Sequence, residues 1–382
     1  MGATGSAASR TRALRLRPLL RAWHKWFGLI VGPWLLLLAL TGSAIAFYDD
    51  LDTWLNPGWR SIPVSEAPDT PAVSQAMTKA GADLRGFAPR FIDLPNKAGE
   101  TIMTVASYTN PAGEHISIQA FSHPATGDLL GWRENGRLGV DPPHLMSTVY
   151  ELHVDLALGD MGVWLIGLIA LLWLIDHVPA VILAIPKLRN AGSAFAIAFK
   201  SGKLRRLYDL HRAPGMWLLP FSLALAITGL GLSWSEETRA AANLFSPISD
   251  RLHYEMPDVE RVAAIDADTA LKHFSATVGT TVDSVTPLPD KGVYAMRSFD
   301  PRDPDDIGRL WTYIDNVDGH IVAQRHDNGD SASDMVFAWL YPIHSGRALR
   351  ETGQAIVLVA GLATAFLCAS GYLLWWRRRR RS

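Results

Sequence analysis

The sequence is informative first for the residue types and patterns that it lacks. The chain of 382 residues has one cysteine, Cys368, which excludes an intrachain disulfide framework and a metal site built from several cysteines. No glycine-rich dinucleotide fingerprint follows a predicted strand, so we expect any nicotinamide or flavin to arrive on another protein. The 36 lysines and arginines nearly balance the 37 acidic residues, and we expect no nucleic-acid partner.

Charge is absent from long stretches of the chain. Three runs carry no charged residue over 23, 23 and 25 positions, namely Trp26–Tyr48, Ala213–Ser235 and Thr352–Trp376. A fourth apolar run, Met161–Pro186, is interrupted only by Asp176 and His177. Because about 20 apolar residues cover the hydrocarbon core of a bilayer, the pattern predicts an α-helical integral membrane protein with four transmembrane helices.

The basic residues predict the orientation of these helices. Lysine and arginine concentrate beside the apolar runs at three places, residues 10–25, 187–212 and 377–381. The positive-inside rule is satisfied when all three places are cytoplasmic. We therefore expect a multi-pass membrane protein with cytoplasmic termini and two long outward segments; the family resemblance described below implies that the membrane is the bacterial inner membrane and that the outer side is the periplasm.

These signals divide the chain into nine predicted segments. In chain order they are a basic cytoplasmic N-terminus (1–22), transmembrane helix 1 (23–48), a periplasmic domain (49–152), transmembrane helix 2 (153–186), a cytoplasmic connector (187–210), transmembrane helix 3 (211–235), a second periplasmic domain (236–343), transmembrane helix 4 with its periplasmic approach (344–376) and a basic cytoplasmic tail (377–382).

An internal repeat organises the chain. Its matched positions are His24 with His211, Thr41-Gly42 with Thr228-Gly229, His153 with His344, and Gly162 with Gly353. In both copies 17 residues separate the first histidine from the Thr-Gly dipeptide, and nine separate the second histidine from the glycine. Each copy contains an even number of crossings, so the spacing predicts two parallel pseudo-repeats about an axis along the membrane normal.

Each polar segment has the pattern of a small α+β module. A stretch of helical character, residues 71–81 or 266–274, precedes alternating strand-like stretches and a hairpin turn near Gly127 or Gly319. We expect one small module of helix and antiparallel sheet in each periplasmic segment.

The four matched histidines predict a cofactor site. His24 and His211 lie at the cytoplasmic ends of helices 1 and 3, and His153 and His344 at the outer ends of helices 2 and 4. A two-fold axis brings each matched pair together, and two facing neutral imidazoles suit bis-histidine ligation of haem iron. We expect two b-type haems, one at each face of the membrane, since 17 helical residues extend about 26 Å. Zinc is a weaker candidate, because a closed zinc site takes four ligands.

Cations beside these histidines are candidate partners of haem propionates. They are Lys25, Arg212, Arg347 and Arg350. Taken singly, Lys25 and Arg212 fit the positive-inside pattern better than a cofactor role.

Asp176 and His177 break the repeat, since Leu367 and Cys368 occupy the matched positions. Ionisable residues inside a membrane are costly and are often functional. His177 is therefore an alternative ligand in place of His24 or His211, with Asp176 orienting a ring, or the two residues line a proton path.

Five stretches in combination resemble the PepSY-associated transmembrane helix family. They are "RAWHKWFGLIVGPW…ALTG", "ELHVDLALGDMG", "DLHRAPGMW…AITG", "PIHSGRALRETGQ" and "SGYLLWWRR". Within that family the chain is similar to the inner-membrane siderophore reductases, those of ferrioxamine in particular. The resemblance implies two PepSY-like periplasmic domains, haem b, and reduction of a hydroxamate-type ferric siderophore. Helix 2 departs from the pattern, with "DHVPA" where helix 4 has "CASGY", which leaves its ligand assignment open.

These observations lead to one principal hypothesis of function and two alternatives. The principal hypothesis is a di-haem reductase that passes electrons from a cytoplasmic or quinol donor to a periplasmic ferric siderophore and releases Fe(II). One alternative is a PepSY-type membrane protein that binds or regulates a periplasmic protease, a role with no use for paired intramembrane imidazoles. The other is an iron-chelate permease, which requires a polar pathway at the membrane midplane.

Overall fold

The structure is a computed structural model that describes residues 5–185 and 187–380. Pro186, at the end of the second predicted crossing, and Arg381, in the predicted basic tail, lie outside the described residues. The chain divides into two compact units. A helical unit comprises Met1–Ala46, Val149–Thr238 and Leu340–Ser382, and a sheet unit comprises Phe47–Thr148 and Arg239–Trp339.

The elements of the described residues are as follows. The α-helices are α1 (Gly5–Ile30), α2 (Gly32–Ile45), α3 (Tyr48–Leu55), α4 (Pro57–Arg60), α5 (Val73–Asp83), α6 (Pro142–Val154), α7 (Asp160–Ala184), α8 (Lys203–Trp217), α9 (Leu219–Ser233), α10 (Ser235–Asn243), α11 (Leu252–Glu255), α12 (Ala267–Thr277), α13 (Ala332–Ser345) and α14 (Arg350–Arg379). The strands are β1 (Ala88–Asp93), β2 (Ile102–Thr109), β3 (His115–Ser122), β4 (Leu129–Glu134), β5 (Val282–Leu288), β6 (Val293–Ser298), β7 (Leu310–Asp315) and β8 (Ile321–His326). Short 3₁₀ segments lie at Val64–Glu66, Leu188–Phe195, Pro289–Lys291 and Arg347–Leu349.

Two of the helical stretches are long and apolar enough to cross a bilayer as they stand. They are Asp160–Ala184, with 25 residues, and Arg347–Arg379, with 33. Two further candidates are bent pairs, in which α1 meets α2 at 56° and α8 meets α9 at 64°. The described residues therefore contain two to four candidate spans, and the number of four crossings stays a prediction.

Both bends have the same cause. Pro33 and Pro220 each stand at the second position of the helix that follows the break. Proline has no amide hydrogen to donate, and its ring clashes with the carbonyl of the preceding turn, so a continuous helix is interrupted there. Each proline follows a predicted ligand histidine, His24 or His211, by nine residues, which adds a fifth matched feature to the predicted repeat.

The contacts within the helical unit also follow the predicted repeat. Helix α7 contacts α1 and α9, and α14 contacts α8 and α2. Helix α7 thus packs against α1 of its own repeat and α9 of the other repeat, and α14 packs against α8 of its own repeat and α2 of the other. Close approach between α2 and α14 occurs at Gly361, where an added Cβ lies 2.9 Å from the carbonyl oxygen of Ala39.

The residue at the start of each long helix has the same unusual backbone conformation in both copies. Gly159 precedes α7 with φ 61° and ψ −142°, and Arg350 begins α14 with φ 53° and ψ −141°. These residues follow His153 and His344 by six positions. His153 and His344 therefore lie at the ends of α6 and α13, and the long helices start only after a tight turn.

The sheet unit joins the two polar segments. Its eight antiparallel strands run in the order β4-β3-β2-β1-β5-β6-β7-β8, so two four-strand meanders meet at β1 and β5. The register at the junction pairs Ile92 with Val285 and Asp93 with Ser284. The sequence predicted a module in each segment, and the structure makes the two modules halves of one sheet. One continuous sheet agrees with the prediction that both segments lie on the same side of a bilayer.

Helices α5 and α12 cover this junction and share one core with it. Phe274 of α12 and Val73 of α5 are fully buried with strand residues such as Ile92 and Met296. The backbone amide of Ser74 donates to Oδ1 of Asp268 at 3.1 Å, and the amide of Asp268 donates to Oγ of Ser74 at 3.1 Å. This reciprocal pair joins the N-termini of the two helices, where free amides need acceptors.

Candidate functional site

The structure brings His24 and His211 together as a first histidine pair. His24 lies on α1 and His211 on α8, and their ring centres are 6.1 Å apart. Nδ1 of His24 donates to Oδ2 of Asp176 on α7 at 2.8 Å. Nδ1 of His211 donates to Oγ of Ser370 on α14 at 3.0 Å. Each ring is thus fixed by a polar side chain on the neighbouring long helix.

His153 and His344 form a second histidine pair. Their ring centres are 6.2 Å apart. Nδ1 of His153 donates to the carbonyl oxygen of Leu38 at 3.0 Å and lies 3.2 Å from Oγ1 of Thr41. Nδ1 of His344 lies 2.9 Å from Oγ1 of Thr228. The Thr-Gly dipeptides that marked the repeat therefore supply matched partners to matched histidines.

The hydrogen bonds favour the same tautomer in all four rings. A carbonyl or carboxylate oxygen only accepts, so Nδ1 of His153 and of His24 carries the hydrogen. The hydroxyl of Thr228 donates to the carbonyl oxygen of Ala224 at 2.7 Å, and that of Ser370 to the carbonyl oxygen of Leu367 at 3.1 Å. Each hydroxyl then accepts from its histidine.

This arrangement leaves one nitrogen of each ring for a metal. Within residues 5–185 and 187–380, no hydrogen bond engages Nε2 of the four histidines. Nδ1 held by an acceptor with Nε2 unoccupied is the usual state of a metal-binding imidazole.

The separation of the rings agrees with one metal ion held between each pair. A metal–imidazole bond of about 2.0–2.1 Å on either side of one ion places the two ring centres about 6 Å apart. Both pairs match this separation. Four nitrogens in one tetrahedral zinc site would require the two pairs to converge, whereas each pair is held by a different set of anchoring residues.

Glycines make room beside the rings. An added Cβ would lie 2.6 Å from Cε1 of His153 at Gly42 and 3.3 Å from Cε1 of His344 at Gly229. At Gly371 it would lie 3.1 Å from Cε1 of His211, while at Gly28 it would meet no atom within 4 Å. The rings therefore approach helix backbone where only glycine stands, as a flat macrocycle between helices requires.

His177 lies outside both pairs. Its Nδ1 donates to the carbonyl oxygen of Trp173 at 2.7 Å, and its Nε2 is 3.0 Å from Oγ of Ser222 on α9. Both ring nitrogens are thus engaged by protein groups. Asp176, its neighbour, instead orients His24. The alternative in which His177 replaces a ligand of the first pair receives no support from this geometry.

The predicted cations differ in their surroundings. Arg212 is held by Asp209 at 2.9 Å and by the carbonyl oxygens of Ser193 and Ala196, so its guanidinium is largely engaged. Lys25 is exposed and lies 4.7 Å from the centre of the Trp26 ring. Arg347 is half-buried and lies in the turn between His344 and α14, and Arg350 is exposed and is the first residue of α14.

A comparison with protein families identifies the chain. The family described as the PepSY-associated TM region matches residues 21–378. The chain belongs to this family. The match covers all four histidines of the two pairs, and it makes the chain a PepSY-associated membrane protein. No curated protein matches the sequence.

Two features of the PepSY-associated site were missed by reasoning from sequence. Asp176 was expected to orient a histidine ring, but that ring, His24, lies 152 positions away and was not identified. Thr41 and Thr228 marked the repeat, but their role as acceptors for the second pair was not recognised. The sequence contained a signal in both cases. Asp176 is a single acidic residue within an apolar run, and the Thr-Gly dipeptide recurs at constant spacing.

Proposed function

We propose that this PepSY-associated membrane protein binds two b-type haems, one at each histidine pair, and reduces a ferric siderophore on the periplasmic side of the bacterial inner membrane. The observation that carries the proposal is the pairing of His24 with His211 and of His153 with His344 at separations of 6.1 and 6.2 Å. An isolated buried histidine is ordinary, but two matched pairs with the same tautomer are typical of a cofactor site.

The residues of the site fit haem in three ways. The imidazoles supply two axial nitrogens per pair, the glycines leave backbone without side chains beside the rings, and the hydroxyl and carboxyl acceptors hold each ring in place. When bound, haem supplies a one-electron Fe(III)/Fe(II) couple whose potential depends on its axial ligands and their hydrogen bonds. Lys25, Arg347 and Arg350 are the proposed partners of the propionates, and Arg212 takes part only if it leaves Asp209.

The proposed reaction transfers electrons singly. Each Fe(III) held by a hydroxamate siderophore accepts one electron and becomes Fe(II), which such oxygen ligands bind far less tightly. A quinol that donates two electrons and releases two protons supplies two such reductions, and a reduced flavoprotein is the other class of donor. The substrate class rests on the resemblance of the sequence, and the paired histidines support the electron path.

The paired histidines also separate this proposal from its alternatives. A protein that binds or regulates a protease uses its exposed domains and needs no imidazole pairs between helices. A permease needs a polar pathway, whereas the stretch of α2 between the two pairs is leucine-rich and apolar. Each alternative predicts that the purified protein is colourless.

The test is the absorbance spectrum of the full-length protein purified in detergent. We expect a Soret band, sharp bands on reduction, and two haems per chain. H344A should lose one haem, while the matched control H177A should keep both, because His177 serves neither pair. A colourless wild-type protein after expression with ample haem contradicts the proposal. Haem that is reduced by dithionite but not reoxidised by a ferric hydroxamate siderophore excludes that substrate.

A further inference from the structure

The four histidines of the two pairs do not have equivalent hydrogen-bond partners. Three of them donate to a neutral acceptor, and one donates to a carboxyl group. The neutral acceptors are the Thr41 hydroxyl and the Leu38 carbonyl for His153, the Thr228 hydroxyl for His344, and the Ser370 hydroxyl for His211. The exception is His24, which donates to Asp176 at 2.8 Å.

Asp176 is placed to act on His24. It lies within the apolar helix α7 and is 4% exposed. Its Oδ2 accepts from His24, and among the described residues its Oδ1 has no hydrogen-bond partner. No lysine or arginine of the described chain lies within salt-bridge distance of it. The carboxyl is therefore neither shared with a cation nor solvated, and its contact with His24 acts at low dielectric.

We propose that Asp176 sets the two haem sites at different potentials, with the first pair (His24 and His211) lower than the second (His153 and His344). This inference rests on the proposed function. A hydrogen bond from Nδ1–H to a carboxylate is stronger than one to a hydroxyl, and it makes the imidazole a better donor to iron. A stronger donor stabilises Fe(III) over Fe(II), which lowers the potential.

The difference in potential between the two sites favours electron transfer in one direction. With haem bound at both pairs, transfer of one electron from the first site to the second would be downhill. With His24 at the cytoplasmic end of its helix, as the basic clusters predict, the downhill direction runs from the cytoplasm outward. Asp176 thus acts as a positioning residue that orders electron flow through His24, without touching substrate or donor.

The test is an optical redox titration of purified, haem-loaded, full-length protein. We expect two midpoint potentials in the wild type. D176N keeps the shape of the side chain but supplies a neutral acceptor, so the lower midpoint should rise and the higher one should stay. D176E should restore a low midpoint. The matched control T228V removes the acceptor of His344 and should leave the lower midpoint unchanged.

The outcomes separate this inference from the proposed function. A wild-type protein without haem overturns both. Two haems whose lower midpoint does not move in D176N, or whose higher midpoint moves instead, overturn the inference alone. Loss of one haem from D176N together with two equal midpoints in D176E also overturns it, because Asp176 would then only hold the ring.

Discussion

Gly42 and Gly229 hold matched positions in α2 and α9, and their replacement by alanine gives a sharp test of the second histidine pair. An added Cβ would lie 2.6 Å from Cε1 of His153 but 3.3 Å from Cε1 of His344. Ordinary van der Waals contact begins at 3.4 Å, so G42A must displace its ring by about 0.8 Å and G229A by only about 0.1 Å. The same substitution at the two positions should therefore have unequal effects.

The displacement in G42A is large on the scale of the site. The bond from Nδ1 of His153 to the carbonyl oxygen of Leu38 is 3.0 Å long, and a retreat of this size stretches it beyond hydrogen-bond range. Overpacking of this kind costs about 1–3 kcal/mol, and the lost hydrogen bond about 0.5–1.5 kcal/mol more. Since metal–ligand distances tolerate only about 0.2 Å, we expect G42A to lose the haem of the second pair.

The assay is the ratio of haem to protein after purification in detergent. We expect about one haem per chain in G42A and two in both G229A and the wild type. A size-exclusion profile like that of the wild type shows that the variant has folded. Two haems in G42A with an unchanged spectrum would refute the placement of His153 as a ligand, and equal losses in both variants would refute the geometric reasoning.

Three further predictions concern stability. Burial, and secondarily the neighbouring Asp283, raise the pKa of Asp93 from 3.8 to about 7. The protonated carboxyl therefore contributes its full stabilisation of the folded sheet below about pH 4, and about 4 kcal/mol of the free energy of unfolding is lost as the pH rises through 7. D93N should remove this pH dependence, which is measured by comparing the protection of the β1 amides from hydrogen exchange at pH 5 and at pH 8. R350G should relieve about 1–3 kcal/mol of backbone strain and raise the thermal midpoint in detergent. D52N, which breaks a fully buried ion pair, should cost about 3–5 kcal/mol and speed proteolysis, whereas D49N in an exposed pair should cost under about 1 kcal/mol.

The local elements of the fold were largely predictable, because their patterns are local. The stretch 266–274 corresponds to α12, where Asp266 caps the helix by accepting from the amide of Thr269 at 2.8 Å. The uncharged run Thr352–Trp376 corresponds to α14. The bends within the other two runs required attention to Pro33 and Pro220, since a hydropathy pattern does not register a broken helix.

The union of the two modules into one sheet was not predictable from local pattern. Pairing of β1 with β5 joins Ile92 to Val285 across nearly 200 residues, and nothing in either strand specifies the other. The sequence does contain a trace of the contact in Ser74 and Asp268, which cap each other's helices from equivalent positions. From the sequence alone, Ser74 and Asp268 are each typical of the start of a helix and indicate no contact between the two.

The site was predictable to the extent that it repeats. Equal spacing placed His24 opposite His211 and His153 opposite His344, and the structure brings those residues together. The residues that differ between copies could not be assigned this way. Asp176 has Leu367 as its counterpart, so the repeat says nothing of its partner, and the sequence left open which ring it orients.

Departures from the repeat are also where the two copies must differ in function. The duplication makes the two histidines of each pair counterparts of one another, so a residue present in one copy only removes that equivalence. Asp176 introduces a carboxyl in one copy only. Arg350 adopts a backbone conformation that suits glycine, at the position where the other copy has Gly159. A strained arginine six residues after His344 costs stability, and that cost is accounted for if its side chain holds an anionic group beside the second pair.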